Sequence, residues 1–370
     1  TEIYTLSLHD ALPIWLIIQR GKSSGYSFRN FMDPKDVKST KLSFALYPTA
    51  FMYVSKCNEN EGWKSGKIEP FGNISISPAA CVLNYGQGLF EGLKAYASKD
   101  GKKVSLFRPE DNANRMIEGC KRLCIPPITK ELFMEAVIEV VKANKDYIPP
   151  YCSESSSQGS LYLRPVVWGT GAILGVNPAP EYTFLVFASP VGPYFKEGFK
   201  PIRLRIAKEH HRAAPGGTGG VKAIGNYSGG LYPAKMAKKD GYSEVLYLDA
   251  KEHKYIEEVG AANFFCIKGK KLFSPSLDGT ILPGVTRRSV IHIAKERLGL
   301  EVEEKKIELK EALEADEAFA SGTAAVISPI GLINHDGKDY ILSNNEVGAN
   351  TRKIYETLLN IQHGIESDTY

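Results

Sequence analysis

Residues 210–230, HHRAAPGGTGGVKAIGNYSGG, place one lysine, one asparagine and one tyrosine inside a glycine-dense run. Glycine at that density costs chain entropy and is kept where backbone must approach a ligand closely or adopt positive φ. Lys222 in such a run is a candidate nucleophile or base, provided that burial or neighbouring charge lowers its pKa. On these residues alone, a flexible surface loop with a solvated lysine stays open as the commoner fate of such a stretch. A nucleotide loop is a poorer reading, because neither GxxxxGK[ST] nor a GxGxxG after a strand is present. Farther along, LPGVTRR runs directly into a predicted helix. The backbone N–H groups of Val285 and Thr286 then sit at a positive helix end, which is an anion site.

The six cysteines, Cys57, Cys81, Cys120, Cys124, Cys152 and Cys266, show neither CxxC pairing nor the density of a disulfide scaffold. That usage belongs to reduced thiols inside a cell. Cys120 and Cys124, four apart on a predicted helix, read as core. A metal or redox pair there lacks the second ligand pair that a zinc site needs, so no metal is expected.

Such groups need ordered elements around a cleft. At 370 residues the chain exceeds the usual single domain, and two domains are the default expectation. Hydrophobic residues at 43% and charged residues at 24% are those of an ordinary globular protein, without an apolar run able to span a bilayer. The net charge of +4 is spread along the chain rather than gathered into the basic stripe of a nucleic-acid binder.

Strand-like and helical runs alternate from about Leu42. ISISPAACVLNYGQGLFEGLKAY reads as strand, turn and strand; EDNANRMIEGCKRL and TKELFMEAVIEVVKANKDYI read as helices. CSESSSQG is a loop, and SLYLRPVVWGTG and EYTFLVFASPVG are strands. SPVGPYFKEGFKP, with Pro and Gly at both ends, is the candidate linker. Beyond it come strands IRLRIAKE, SEVLYLD and NFFCIKGKKLFSP, then helices TRRSVIHIAKERLG, LKEALEADEAFA and NEVGANTRKIYETLLNIQ. Residues 42–190 thus form a small α+β domain, 191–201 the linker and 202–370 a large domain.

The stretch GGTGGVKAIGNYSGG is similar to the cofactor-lysine segment of branched-chain amino-acid aminotransferases, the fold type IV pyridoxal-phosphate enzymes. The resemblance continues in family order through PFGNISISPAACVLNYGQGLFEGLKAY, LFRPEDNANRM, SLYLRPVVWGTG, SPVGPYF, IEEVGAANFF, LDGTILPGVTRRS and ASGTAAVISPIG. It covers residues 42–368, and plant-type members look closest. It implies a two-domain α+β fold like that of D-amino-acid aminotransferase, with the smaller domain first and the active site between the two.

The activity implied is transfer of the amino group of L-leucine, L-isoleucine or L-valine to 2-oxoglutarate, by ping-pong transamination through a Lys222 aldimine with pyridoxal 5'-phosphate. Lys222 would also carry the substrate proton. Glu258 matches the partner of the cofactor's pyridine nitrogen, whereas its neighbour Glu257 reads as a solvated strand end. Tyr227 matches the tyrosine on the phenolic oxygen. Arg115, whose planar guanidinium suits a bidentate grip, joins Val285, Thr286 and the Thr323 hydroxyl on the phosphate. Tyr85, Phe90, Tyr162 and Tyr194 match the pocket wall, Arg164 the arginine for glutamate's side-chain carboxylate, and backbone N–H groups at Thr323 and Ala324 the donors for the α-carboxylate. Leu174 and Val176 match a loop that reaches into a neighbouring subunit, which implies a homodimer.

Two departures stand out. Ala261 replaces a hydroxyl found in some members, leaving fine specificity open, and GTAAVISP lacks the two cysteines of the mammalian redox switch. A D-amino-acid transaminase or an aminodeoxychorismate lyase of the same fold is the alternative. GQGLFEGLKAY and SLYLRPVVWGTG favour the branched-chain group. A non-catalytic binding protein has no need of Lys222, Glu258, Tyr227 and Arg115 together.

Residues 1–14, TEIYTLSLHDALPI, resemble the in-frame translation of a sequencing-library adapter and are set apart from the fold, with 15–41 as an N-terminal extension. A transit peptide would be basic, yet this stretch has Glu2 and Asp10 and no Lys or Arg. Compartment stays open at this point, with a plastid or mitochondrion first and the cytoplasm next.

Overall fold

Ser160–Gly169 and Glu181–Val191, rich in β-branched and aromatic residues, pair antiparallel along their length and form the spine of a first sheet. The structure is a computed structural model that describes residues 4–7, 32–58, 60–153, 159–194 and 199–370. Strands of the first sheet are β1 (Tyr4–Ser7), β2 (Phe51–Asn58), β3 (Gly62–Trp63), β4 (Lys67–Pro70), β5 (Gly88–Phe90), β6 (Leu93–Ala97), β7 (Lys103–Leu106), β8 (Ser160–Gly169) and β9 (Glu181–Val191). Their order is β1-β7-β6-β8-β9-β2-β3, with β4 on β2 and β5 on β8. Tyr4–Ser7, within the stretch set apart on sequence grounds, pairs antiparallel with β7 at one edge of the sheet.

Helix α1 (Cys81–Tyr85) precedes β5; α2 (Pro109–Arg122) and α3 (Lys130–Ala143) follow β7. The α3 start is capped by Thr129, whose hydroxyl accepts from Leu132 N at 3.1 Å. Buried Phe133, Val137, Val140 and Val141 recur at helical spacing and join the core of the first sheet.

The second sheet comprises β10 (Ile202–Ile206), β11 (Glu244–Leu248), β12 (Ile256–Val259), β13 (Ala262–Lys268), β14 (Lys271–Pro275), β15 (Glu301–Lys305), β16 (Glu317–Gly322), β17 (Val326–His335) and β18 (Lys338–Ile341). Its helices are α4 (Gly225–Ser228), α5 (Leu231–Lys239), α6 (Val285–Glu296), α7 (Leu309–Leu313) and α8 (Ala349–Gln362). The order runs β12-β11-β10-β17-β16-β13-β14-β15, and β12 also pairs with β13, closing six strands into a ring. All six feed one apolar cluster, including Leu204, Leu246, Ile256, Phe264, Ala318 and Ile330. On the other face, Phe265 and Phe319 meet α6 and α8 and, from the first sheet, Tyr96 and Phe107. The α+β architecture is the expected one.

Several local expectations are corrected. Residues 74–79 are irregular and Cys81–Tyr85 is helical rather than a strand. There the Ser77 and Asn84 side chains bond local backbone, which competes with a sheet ladder. The helix expected through EALEADEAFA stops at Leu313, and Glu317–Gly322 is a strand. Tertiary bonding decides this: the Glu317 carboxylate accepts from Thr351 N and Thr351 Oγ1, both at 2.8 Å, at the start of α8. Cys120 is core, but Cys124 lies past the helix end, exposed and at φ 53°. Glu257 is buried rather than solvated. Parts of the CSESSSQG loop and of the linker, residues 154–158 and 195–198, lie outside the described residues. Among those described, no helix is long and apolar enough to cross a membrane.

Candidate active site

A cavity of about 250 Å³ opens between the two sheets. The glycine-dense run brings Lys222 to its wall, and that run is pinned rather than free. Phe90 N donates to Lys222 O at 3.2 Å and Ile224 N to Gly88 O at 3.0 Å, so the segment sits beside β5 like a short strand. Asn226 Nδ2 donates to Thr218 O and Val221 O, each at 2.7 Å, and ties the turn together. Gly219 and Gly220 run against the Gly279–Thr280 backbone with no room for a Cβ at Gly219.

Lys222 Nζ lies 3.1 Å from Tyr227 Oη and 4.6 Å from the centre of the Phe90 ring. Burial, reinforced by the charge of Arg115, lowers its amine to about 7. A lysine in that state has a free lone pair at neutral pH. Burial also keeps the Tyr227 hydroxyl protonated well above the ordinary phenol range.

Glu258 enters from β12. Asn263 Nδ2 donates to its Oε1 at 2.8 Å and to Leu282 O at 2.9 Å, and Arg212 Nη1 lies 2.6 Å from its Oε2. Burial raises this carboxyl to about 7 against the pull of Arg212 and Lys222. Asn263 fits because Gly284 has no side chain: a Cβ there would strike Asn263 Oδ1. Gly284 is also the N-cap of α6, as LPGVTRR led us to expect, so Val285 and Thr286 line the cavity at a helix start.

Arg115, from α2, lines the cavity and is tied to protein groups as well. Its Nε and Nη2 grip Glu91 Oε1 and Oε2 at 2.7 and 2.6 Å, and Nη1 donates to Pro283 O at 3.0 Å. The bidentate face is therefore spent on a protein carboxylate, and Arg115 offers the cavity its charge and remaining donor capacity.

Period-two alternation on β8 turns Tyr162 and Arg164 to the cavity side. Arg164 Nη2 donates to Tyr162 Oη at 3.1 Å and its guanidinium stacks over the Phe90 ring, centre 4.8 Å away. Arg164 Nε has no hydrogen-bond partner among the described residues, although it is buried. The Tyr162 ring needs Gly92, where a Cβ would meet its hydroxyl. Phe44, Tyr194, Ala261, Thr323 and Ala324 complete the wall.

The structure thus brings together Lys222, Arg115, Tyr227, Glu258, Val285, Thr286, Thr323, Phe90, Tyr162, Arg164, Tyr194 and Ala324. It does not bring Tyr85, Leu174 or Val176 to this cavity. Tyr85 is half exposed and its hydroxyl donates to Leu174 O, while Leu174 and Val176 are 92% and 81% exposed. Their distance follows from α1, which turns Tyr85 outward onto that loop.

Sequence reading missed Glu91, Arg212, Asn263 and Glu244, which also lines the cavity. Glu91, Arg212 and Asn263 lie inside the stretches LFEGLKAY, HHRAAPGG and AANFF already singled out. A charged residue within a buried strand run was the only signal available for Glu91.

The donor set fits pyridoxal phosphate: an easily deprotonated amine, a hydroxyl beside it, a buried carboxyl across the cavity, and a helix start with Arg115 for a phosphate. Comparison with known proteins agrees. The amino-transferase class IV family model matches residues 88–333. The chain is 50% identical, over 90% of its length and 79% of the relative's, to branched-chain-amino-acid aminotransferase 3, chloroplastic, of Arabidopsis thaliana. It is 45% identical, over 94% and 86%, to branched-chain amino acid aminotransferase 1, mitochondrial, of Humulus lupulus. The Escherichia coli branched-chain amino acid aminotransferase superposes with a TM-score of 0.74 at 27% identity, covering 87% of this chain and 97% of that one. The branched-chain aminotransferase of the thermophilic archaeon Thermoproteus uzoniensis, with norvaline, gives 0.72 at 31%, covering 86% and 96%.

Proposed function

As the chain belongs to the class IV aminotransferase family, we propose that it is a branched-chain amino-acid transaminase, exchanging amino groups between L-leucine, L-isoleucine or L-valine and 2-oxoglutarate. The observation that carries this is the buried, easily deprotonated Lys222 facing Phe90, Tyr162, Tyr194 and Arg164 across one cavity. When bound, pyridoxal phosphate supplies an electron sink that acidifies the Cα–H bond of an amino acid.

The chain's own groups do the rest. Lys222 Nζ would hold the cofactor and would take the Cα proton and return it; a pKa near 7 suits both directions. Glu258 would keep a proton at the ring nitrogen, and Tyr227 would donate to the phenolic oxygen. Val285 N–H, Thr286, Thr323 and Arg115 would hold the phosphate. The aromatic wall takes the branched side chain with few rotamers to freeze. Arg164 receives the side-chain carboxylate of glutamate, and Thr323 and Ala324 N–H groups receive the α-carboxylate of either substrate. One site thereby serves donor and acceptor in turn.

A homodimer completes the reading. Exposed Leu174 and Val176, braced by Tyr85, are the apolar tip that enters the partner subunit's site. Chloroplastic and mitochondrial relatives support a plastid or mitochondrion as the compartment, with the cytoplasm next.

The test is the visible spectrum of the purified protein with pyridoxal phosphate, before and after L-leucine or D-alanine. Conversion of the bound cofactor to pyridoxamine phosphate by L-leucine alone, reversed by 2-oxoglutarate, is the expected result. Conversion by D-alanine alone moves the protein to the D-amino-acid branch. Pyruvate released from aminodeoxychorismate identifies the lyase.

A further inference from the structure

Behind the main cavity lies a second, of about 50 Å³, reached by none of the groups assigned so far except Tyr194 and Ala324. Its floor is Lys94 on β6. Alternation along that strand sends Leu93 and Ala95 into the core of the first sheet, and Lys94 and Tyr96 toward the second. Lys94 is 6% exposed, and among the described residues no acidic side chain lines this cavity. Among those residues Lys94 also makes no ion pair; its one hydrogen bond runs from Nζ to Ala324 O at 3.0 Å. A buried amine without a counter-ion is costly, and here desolvation lowers it to about 7. His363, the other basic group facing this cavity, leaves Nε2 without a partner among the described residues.

Ala324, Ala325 and Ser328 line both cavities, so the turn at 323–325 is the partition between them. Lys94 grips that partition from the rear. A peptide unit is planar and trans, so a carbonyl held to the rear sends the N–H of the same unit to the front. With Ala324 O turned to Lys94, the same unit directs Ala325 N–H away from Lys94, and Ala325 lines the main cavity. Without a donor behind it this unit is free to flip, and a flip points a carbonyl oxygen at the place where a carboxylate binds.

We propose that Lys94 is a positioning residue for carboxylate recognition, locking the Ala324–Ala325 peptide so that Ala325 N–H joins those of Thr323 and Ala324 on the α-carboxylate of both substrates. This rests on the transaminase reading above. Lys94 touches neither substrate nor cofactor, so it governs affinity for carboxylates rather than the proton transfer at Lys222.

Cofactor-loaded wild type, Lys94→Met and Lys94→Arg test this. Methionine keeps the length and loses the donor; arginine keeps a donor. The probe is 4-methylpentanoate, a branched monocarboxylate with no amine, titrated by its effect on the cofactor's absorbance, alongside KM and kcat for L-leucine and 2-oxoglutarate. In Lys94→Met we expect the 4-methylpentanoate Kd and both KM values to rise about tenfold, the size of one lost charge-assisted hydrogen bond, with kcat changed less than about threefold. Lys94→Arg restores most of the affinity. If Lys94→Met does not fold, Lys94→Leu, which also lacks a donor, carries the same comparison. A Kd within twofold of wild type, or an arginine variant as weak as methionine, overturns the inference. Wild-type turnover of L-leucine is measured first: its absence overturns the transaminase reading and this inference with it, whereas turnover with unaltered carboxylate affinity in the variants overturns this inference alone.

Discussion

Glu91 holds Arg115 at two points, Oε1 to Nε at 2.7 Å and Oε2 to Nη2 at 2.6 Å, between residues 24 apart in the chain. Asn112 Nδ2 steadies the same carboxylate at 2.8 Å, and the Glu91 side chain is 1% exposed. The pair sets where the positive charge at the proposed phosphate end can sit.

Removing one partner of a buried pair leaves the other uncompensated, at a cost of about 3–5 kcal/mol. Glu91→Ala is therefore expected to lower the urea midpoint clearly and to weaken pyridoxal phosphate by at least about tenfold in a fluorescence titration. Equal cofactor affinity in the variant and the wild type would mean that Pro283 O alone suffices to aim Arg115.

Lys222 makes the cofactor-free protein less stable, with a definite pH dependence. Its folded pKa of about 7 lies below the ordinary lysine value of 10.5, so between these the unfolded chain binds the extra proton and stability rises with pH. At pH 6–7 the full penalty is present. Lys222→Met is expected to melt above wild type there, with the gap closing as pH climbs toward 10, while all transamination is lost. Turnover above trace level in that variant would remove Lys222 from its role.

Glu258→Gln keeps the shape and the hydrogen bond from Asn263 but cannot carry the negative charge. Cofactor binding is expected to survive, with kcat reduced by about 10²–10⁴, the usual weight of a lost proton-holding group. Arg212→Met attacks the same carboxylate from the other side: without its 2.6 Å partner, Glu258 should titrate higher still, moving the pH–rate profile upward. An unmoved profile would separate Arg212 from the chemistry.

Arg164→Met distinguishes the two half-reactions. The pocket keeps its aromatic wall for L-leucine but loses the guanidinium with its unpartnered Nε. The KM for 2-oxoglutarate is expected to rise about 10- to 100-fold, that for L-leucine less than threefold, in single-turnover experiments on each half. Equal losses for both substrates would contradict a carboxylate-specific role.

The resemblance carried by the ordered motifs was sufficient for the family and the α+β class, and local spacing for the helix start at Val285 and for the alternation that turns Tyr162 and Arg164 to one side of β8. Local pattern failed where a distant partner decided the outcome. Glu317 reads as helix until its carboxylate is seen holding Thr351 N; Cys124 reads as core until the chain turns at φ 53° beyond α2. Glu257 and Glu258 are adjacent; the resemblance singled out Glu258, but only the packed sheet shows that Glu257 is buried as well and that Glu258 lies between Asn263 and Arg212. Burial, the cause of the shifted amines of Lys222 and Lys94, is a property of all the atoms around a group. No string of residues carries it, since the Ala324 carbonyl that Lys94 meets lies 230 positions away and is brought there by two sheets closing on each other.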